Sequence, residues 1–191
     1  PDRAKQILQV LTDNKFDIYD TVKFNNLKTY TIYPIAEAKN SKAFLGLTEV
    51  KNSLGVYLAQ LGLTQARIAE TEKYAHVTYF FDGGKEYKLE KCDRYLIPSP
   101  KVATYDLKPE MSCKDVTKTC LKCMDKGYDF ILVNFANPDM VGHTGNLEAT
   151  IEALEVIDYC LGSIYSKALD DDYTLFIMAD HGNCDYMLDD N

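Results

Sequence analysis

The chain has 191 residues, of which 46% are apolar, 26% are charged and 12% are aromatic. This composition is that of a folded globular chain and excludes disordered, collagen-like and coiled-coil proteins. The net charge is −8, with no basic stripe, so nucleic acids and anionic membranes are not expected partners. No apolar run approaches the roughly 18 residues of a membrane span. The chain opens on Pro1 without a signal-peptide pattern, and we expect it to be a piece of a longer chain.

The first third of the sequence predicts short elements separated by loop signals. Apolar residues at helical spacing predict a helix over residues 3–16, and a β-rich run over residues 27–33 predicts a strand. The pattern then loses its period, with Asn40-Ser41-Lys42 and Gly46 as loop signals, which predicts a linker over residues 36–48.

The middle of the sequence predicts a helix, a strand and a hairpin. Residues 49–61 read as a helix ended by Gly62, and Ala66–Ala69 as a short strand. Residues 76–81 and 85–89 flank Asp82-Gly83-Gly84 and are typical of a β-hairpin.

The last third predicts a strand–helix–strand unit. Ser112 is an expected N-cap for a helix that Gly127 ends. A run over residues 130–135 that is apolar on both faces predicts a buried strand, and an apolar stripe from Leu147 to Ala168 predicts a long helix. A second such strand is predicted over residues 174–179. Buried strands joined by a helix indicate an α/β fold, a mostly parallel sheet flanked by helices.

Two Asp–His pairs follow these two strands. Asp139 and His143 come after the first, and Asp180 and His181 after the second. Ligand sites of such sheets lie at the carboxyl ends of the strands, and these donors suit Mn²⁺, Zn²⁺ or Mg²⁺. Each pair alone is well explained by an Asp that caps a helix or loop and a His whose polar atoms are hydrogen-bonded. Two pairs at matched ends favour a metal, in one closed site or in two open sites that need further ligands.

Long motifs resemble the 2,3-bisphosphoglycerate-independent phosphoglycerate mutases. The matching strings are Ala69–Val77, Ile97–Met111, Asn134–Asn146, Ala179–Asn183 and the opening Pro1–Ala4. The resemblance implies an alkaline-phosphatase-like metal domain, incomplete here, with an inserted transferase domain. Residues 1–35 would end that insert, and residues 49–191 would form the C-terminal half of the metal domain.

The resemblance also implies a chemistry. A cytoplasmic, monomeric enzyme would interconvert 3-phosphoglycerate and 2-phosphoglycerate through a phosphoserine, with two Mn²⁺ ions (or Mg²⁺ or Co²⁺) and no 2,3-bisphosphoglycerate. Asp139 with His143 would bind one metal, and Asp180 with His181 the other. Arg3 and Lys73 match positions that hold the substrate.

The nucleophilic serine of that family has no counterpart among the serines of this chain, which are Ser41, Ser53, Ser99, Ser112, Ser163 and Ser166. We therefore expect the chain alone to be inactive. A metal-dependent phosphatase on the same scaffold and a vestigial metal-binding module are the alternative functions. Cys120 and Cys123 fall on one helical face and predict core packing with free thiols rather than a zinc site. His76 is expected to be structural, and Lys101 and Tyr105 receive no specific role.

Overall fold

The computed structural model describes residues 2–22, 24–35, 41–46 and 50–188, without the side chains of Asp2 and Arg3. The chain forms two compact units, residues 1–49 and 50–191. Residues 36–40 and 47–48 of the predicted linker lie outside the described residues. The assignment of the two units to a transferase insert and a metal domain stays a prediction.

The described residues of the first unit form one helix and a small parallel sheet. Helix α1 covers Asp2–Thr12, shorter at its carboxyl end than the predicted 3–16. Strand β1 (Thr29–Thr31) pairs with β2 (Ser41–Ala43) in parallel register. The prediction of a loop at Ser41-Lys42 was wrong. These residues form a second strand, which pairs with the β-branched and aromatic residues of β1.

The second unit is built on a three-stranded parallel sheet. Strand β3 (Gln65–Glu70) lies in the middle, between β4 (Cys92–Ile97) and β5 (Phe130–Asn134). The helices are α2 (Leu54–Gln60), α3 (Cys113–Asp125), α4 (Asn137–Gly142) and α5 (Leu147–Asp170). The α/β prediction is confirmed. In the described part of the chain, no helix has both the length and the apolar character that a membrane crossing requires.

Helices α3 and α5 cover one face of this sheet. Apolar residues of both helices pack against the sheet in a core whose buried members are Ala66, Ile68, Ile97, Val116, Cys120, Cys123, Met124, Tyr128, Ile164 and Ala168. Cys120 and Cys123 are therefore core residues, as predicted, and all six thiols of the chain are free. The opposite face holds the buried Arg67, whose guanidinium stacks 4.1 Å from the ring centre of Phe81 and lies 3.6 Å from Asp82 Oδ1.

The predicted hairpin over residues 76–89 was wrong. His76–Phe80 forms a π-helical turn, and the Thr78 hydroxyl donates to the Tyr74 carbonyl at 2.8 Å. Gly83 and Gly84, both with φ of +80°, end this turn. The β-branched and aromatic residues that suggested a strand bury Val77 and Thr78 against the sheet instead, so packing overrides local propensity.

The predicted strand over residues 174–179 was also wrong as a ladder strand, although its position is close to the expected one. The Tyr173 hydroxyl donates to the Tyr128 carbonyl before β5, and residue 183 reaches Asp139 after β5. The segment therefore runs beside β5 without pairing with it. Its outer side chains stay open to solvent, with Phe176 84% and Met178 89% exposed. A buried strand needs cover on both faces, whereas Ile177, between these two residues, is also 67% exposed.

Two further features of the fold differ from the sequence predictions. Ser112 occupies the N-cap position of α3, but its hydroxyl donates to the Pro98 carbonyl at 2.7 Å and caps nothing. Strand β4 was not predicted from the sequence, because Asp93 and Arg94 interrupt its apolar pattern.

Candidate metal centre

Asp139 lies at the carboxyl edge of the sheet, in the first turn of α4. His143 follows four residues later, and helical spacing brings its Nε2 to 3.1 Å from Asp139 Oδ1. Asp139 is largely buried, with 17% of its side chain exposed, whereas 68% of His143 is exposed. The first predicted pair thus forms a local unit that a ligand can reach from solvent.

Lys73 reaches Asp139 from the end of β3. It ends the short 3₁₀ turn Thr71–Lys73, is 7% exposed, and its ammonium forms an ion pair with Asp139 Oδ2. Burial by itself raises the pKa of Asp139, but the hydrogen bonds from Lys73 and Asn183 outweigh this and hold the pKa below its usual value. Asp139 is therefore a carboxylate at neutral pH.

The second predicted pair approaches the same carboxylate. His181 Nε2 lies 4.0 Å from Asp139 Oδ1 and 3.7 Å from Asp180 Oδ2. Both side chains are more than half exposed. All four residues predicted from the two strand ends, together with Lys73, are thus brought to one place.

Asn183 is a site residue that the sequence analysis missed. Its amide nitrogen donates to the Asp139 carbonyl oxygen at 2.9 Å and to Asp139 Oδ1 at 3.0 Å. Its position at the end of the string Ala179–Asn183 was the available signal.

His76 and Tyr105 also belong to the surroundings of the site. Burial lowers the pKa of His76, and the charge of Lys73 lowers it further, against opposing effects of Asp180 and Asp139. This third histidine therefore faces the same charges as the two predicted ligands. The Tyr105 hydroxyl donates to Glu72 at 2.7 Å, and burial and this bond raise the pKa of Tyr105 to about 12. Tyr105 holds the turn that carries Lys73.

Glu70, at the end of β3, is completely buried beside this turn. Neither of its carboxyl oxygens makes a well-formed hydrogen bond within the described residues. Burial raises the pKa of Glu70, and the nearby Ser99 hydroxyl and Ser112 amide offset this only in part. Glu70 is a buried acid that was not singled out from the sequence, although it lies in the matching string Ala69–Val77.

The donor chemistry of the site fits a divalent cation. One carboxylate oxygen faces two imidazole Nε2 atoms at 3.1 and 4.0 Å, and ligands that share a tetrahedral ion at 2.0–2.1 Å lie about 3.4 Å apart. Lys73 places a positive charge on the other oxygen of the same carboxylate. Within the described residues, however, no group of three or more His, Cys, Asp or Glu side chains is arranged to hold an ion. The donors are close together but do not form a complete cage.

Arg3, the other residue predicted to bind substrate, lies in α1 of the first unit. Its side chain lies outside the described atoms.

Comparison with known proteins places this chain in a family. The sequence profile of the Metalloenzyme superfamily matches residues 14–190. The chain belongs to that superfamily. Its edge-of-sheet cluster of Asp and His side chains is therefore found in a family whose name denotes metal dependence.

Named relatives agree with the motif resemblance. The chain is 52% identical to a 2,3-bisphosphoglycerate-independent phosphoglycerate mutase of Clostridium kluyveri, over 99% of this chain and 37% of that protein. It is 47% identical to the mutase of the same name from Gracilaria tenuistipitata var. liui, over 100% of this chain and 38% of that protein. The chain spans a little over a third of the length of these curated relatives.

A solved structure shows the same fold. The phosphoglycerate mutase of Leishmania mexicana, crystallised at low cobalt concentration, superposes with a TM-score of 0.72 at 28% identity. The match covers 96% of this chain and 34% of that one.

Proposed function

We propose that this chain supplies part of the metal centre of a cofactor-independent phosphoglycerate mutase. Such an enzyme interconverts 3-phosphoglycerate and 2-phosphoglycerate through a phosphoserine, without 2,3-bisphosphoglycerate. The observation that carries the proposal is the convergence of two Asp–His pairs and Lys73 at one edge of the sheet. The names of the relatives support the reaction.

The proposed ligands are Asp139 with His143 for one ion and Asp180 with His181 for the other. Two Mn²⁺ ions, or Mg²⁺ or Co²⁺, suit these oxygen and nitrogen donors. Bound divalent ions would neutralise a phosphoryl group in transfer and lower the pKa of a hydroxyl nucleophile. Lys73 neutralises Asp139 in the chain as it stands. Once another cation shares that carboxylate, the Lys73 ammonium is available to bind and orient the phosphate of the substrate, with Arg3 as the second substrate contact.

The remaining parts of the site are proposed to come from the region of the relatives that this chain does not match. That region would supply the nucleophilic serine and the missing metal ligands. The exposed Phe176 and Met178, beside the open edge of β5, are a suitable surface for it to cover. This arrangement would make residues 49–191 the C-terminal half of a metal domain and residues 1–35 the end of an insert.

A chimaera tests this function. The matching region of the Clostridium kluyveri mutase is replaced by this chain, and the purified protein is given 3-phosphoglycerate and Mn²⁺. We expect 2-phosphoglycerate as product, and we expect an Asp139→Ala chimaera to lose at least a hundredfold in rate. A folded chimaera without mutase activity would contradict the proposal.

The same assay separates the alternatives. Release of inorganic phosphate in place of 2-phosphoglycerate would indicate a phosphatase on this scaffold, since the metal ligands serve both reactions equally. If the Asp139→Ala chimaera and the unsubstituted chimaera have the same low activity, the site is vestigial. The proposed partners are the two phosphoglycerates, in a cytoplasmic, monomeric protein, with no nucleic acid or membrane.

A further inference from the structure

Asn183 connects the two halves of the proposed metal centre. One half is α4, with Asp139 and His143, and the other is the segment that carries Asp180 and His181. The Asn183 amide nitrogen donates across this gap to both the carbonyl and the carboxylate of Asp139, at 2.9 and 3.0 Å. These bonds join residues 44 positions apart in the sequence.

The hydrogen bond from Asn183 to the Asp139 carboxylate holds Oδ1, the oxygen that both histidines face. Asp139 Oδ1 accepts from Asn183 and also faces His143 Nε2 at 3.1 Å and His181 Nε2 at 4.0 Å. A carboxylate oxygen has lone pairs for more than one partner, so it can accept from a neutral amide and still face a cation. Without Asn183, the ion pair with Lys73 would be the main restraint on the rotation of this carboxylate.

Gly142 leaves the space that Asn183 occupies. A Cβ atom at position 142 would lie 3.2 Å from Asn183 Cγ and 3.3 Å from its amide nitrogen and oxygen. These contacts are tighter than normal packing, so a side chain at position 142 would require the Asn183 amide to shift by a few tenths of an ångström from its place on Asp139. The absence of a side chain at Gly142 thus leaves the space that the Asn183 amide needs to reach Asp139.

We propose that Asn183, seated against Gly142, is a positioning residue that ties the Asp180–His181 segment to α4 and sets the metal affinity of the site through Asp139. The inference rests on the proposed function in that the cation is the one proposed there. Side chains that orient a metal ligand in this way contribute about 10–100-fold to metal affinity.

Two measurements on the chain test this inference, with Asn183→Ala and Gly142→Ala as variants and the exposed Asn52→Ala as matched control. Amide hydrogen exchange without metal reports whether residues 180–188 are held. We expect faster exchange in that segment in both variants and no change in the control. Calorimetric titration with Mn²⁺ alone reports affinity, and we expect a 10–100-fold loss in both variants.

Each outcome decides a different point. Unchanged exchange in Asn183→Ala overturns the tie, and faster exchange with unchanged Mn²⁺ affinity overturns the positioning role. If the wild-type chain binds no Mn²⁺, the proposed metal centre fails, while the exchange comparison still supports or overturns the tie on its own.

Discussion

Replacing Lys73 by Met removes the one lysine that neutralises Asp139 in the described residues. The ion pair is largely withdrawn from water, with 9% of the Lys73 side chain and 17% of the Asp139 side chain exposed. The variant keeps most of the volume of the lysine stem and leaves a buried carboxylate with Asn183 and His143 as its polar neighbours.

The expected loss of stability follows from this burial. Removing one partner of a buried ion pair costs about 3–5 kcal/mol, and the residual exposure and remaining hydrogen bond of Asp139 place this case at about 3 kcal/mol. In a chain of this size each kcal/mol lowers Tm by about 2–4 °C, so Lys73→Met should lower Tm by about 6–12 °C.

Thermal unfolding followed by circular dichroism measures this effect, with the exposed Lys101→Met as control. The control should change Tm by less than about 2 °C, because exposed substitutions stay within about 0.5 kcal/mol. Added Mn²⁺ should narrow the gap between Lys73→Met and wild type, because a bound cation replaces the lost charge. A Tm loss no larger than that of the control would refute the argument.

Three further substitutions have expected outcomes. Because burial raises the folded-state pKa of Glu70, its contribution to stability is full below the unfolded value of about 4.3 and is lost as pH rises through the folded value. The Tm of Glu70→Gln relative to that of wild type should therefore increase as the pH rises from 4. A Tm difference between the two proteins that stays constant with pH would contradict this. Gly55→Ala should lower the unfolding free energy by about 1–3 kcal/mol, because the new Cβ would lie 2.6 Å from Asp82 Oδ1. The control Gly162→Ala, in open space on α5, should be neutral or stabilising in the same melt. Met178→Asp should leave the Tm of the chain within about 2 °C, since this side chain is 89% exposed, yet should lower the yield of folded chimaera. An equal yield of that chimaera would show that the face is not covered.

The sequence predicted the parts of the site that depend on local spacing. A four-residue separation on a helix places Asp139 beside His143, and a buried strand before it fixes the edge at which they lie. Lys73 is 66 residues away from Asp139 along the chain, so the motif resemblance and not the spacing singled it out. Asn183 ends the matching string Ala179–Asn183, but its contact with Asp139 is visible only once α4 and the last segment are seen together.

Two of the errors share one physical cause, which is that burial depends on the whole fold. Residues 76–80 have the composition of a strand, but packing against the sheet makes them a helical turn. Residues 174–179 have the pattern of a strand buried on both faces, yet Phe176 and Met178 face solvent. Composition reports what a segment can bury, while only the surrounding structure decides whether it is buried.

The most direct test of the metal centre is a calorimetric titration of the chain with Mn²⁺, comparing wild type with His143→Ala. His143 is 68% exposed, so its replacement should leave the fold intact. The account predicts saturable binding to wild type and at least a tenfold weaker affinity in the variant, which is about 1.4 kcal/mol of binding free energy. Equal affinity in the two proteins, or no binding to wild type, would contradict it.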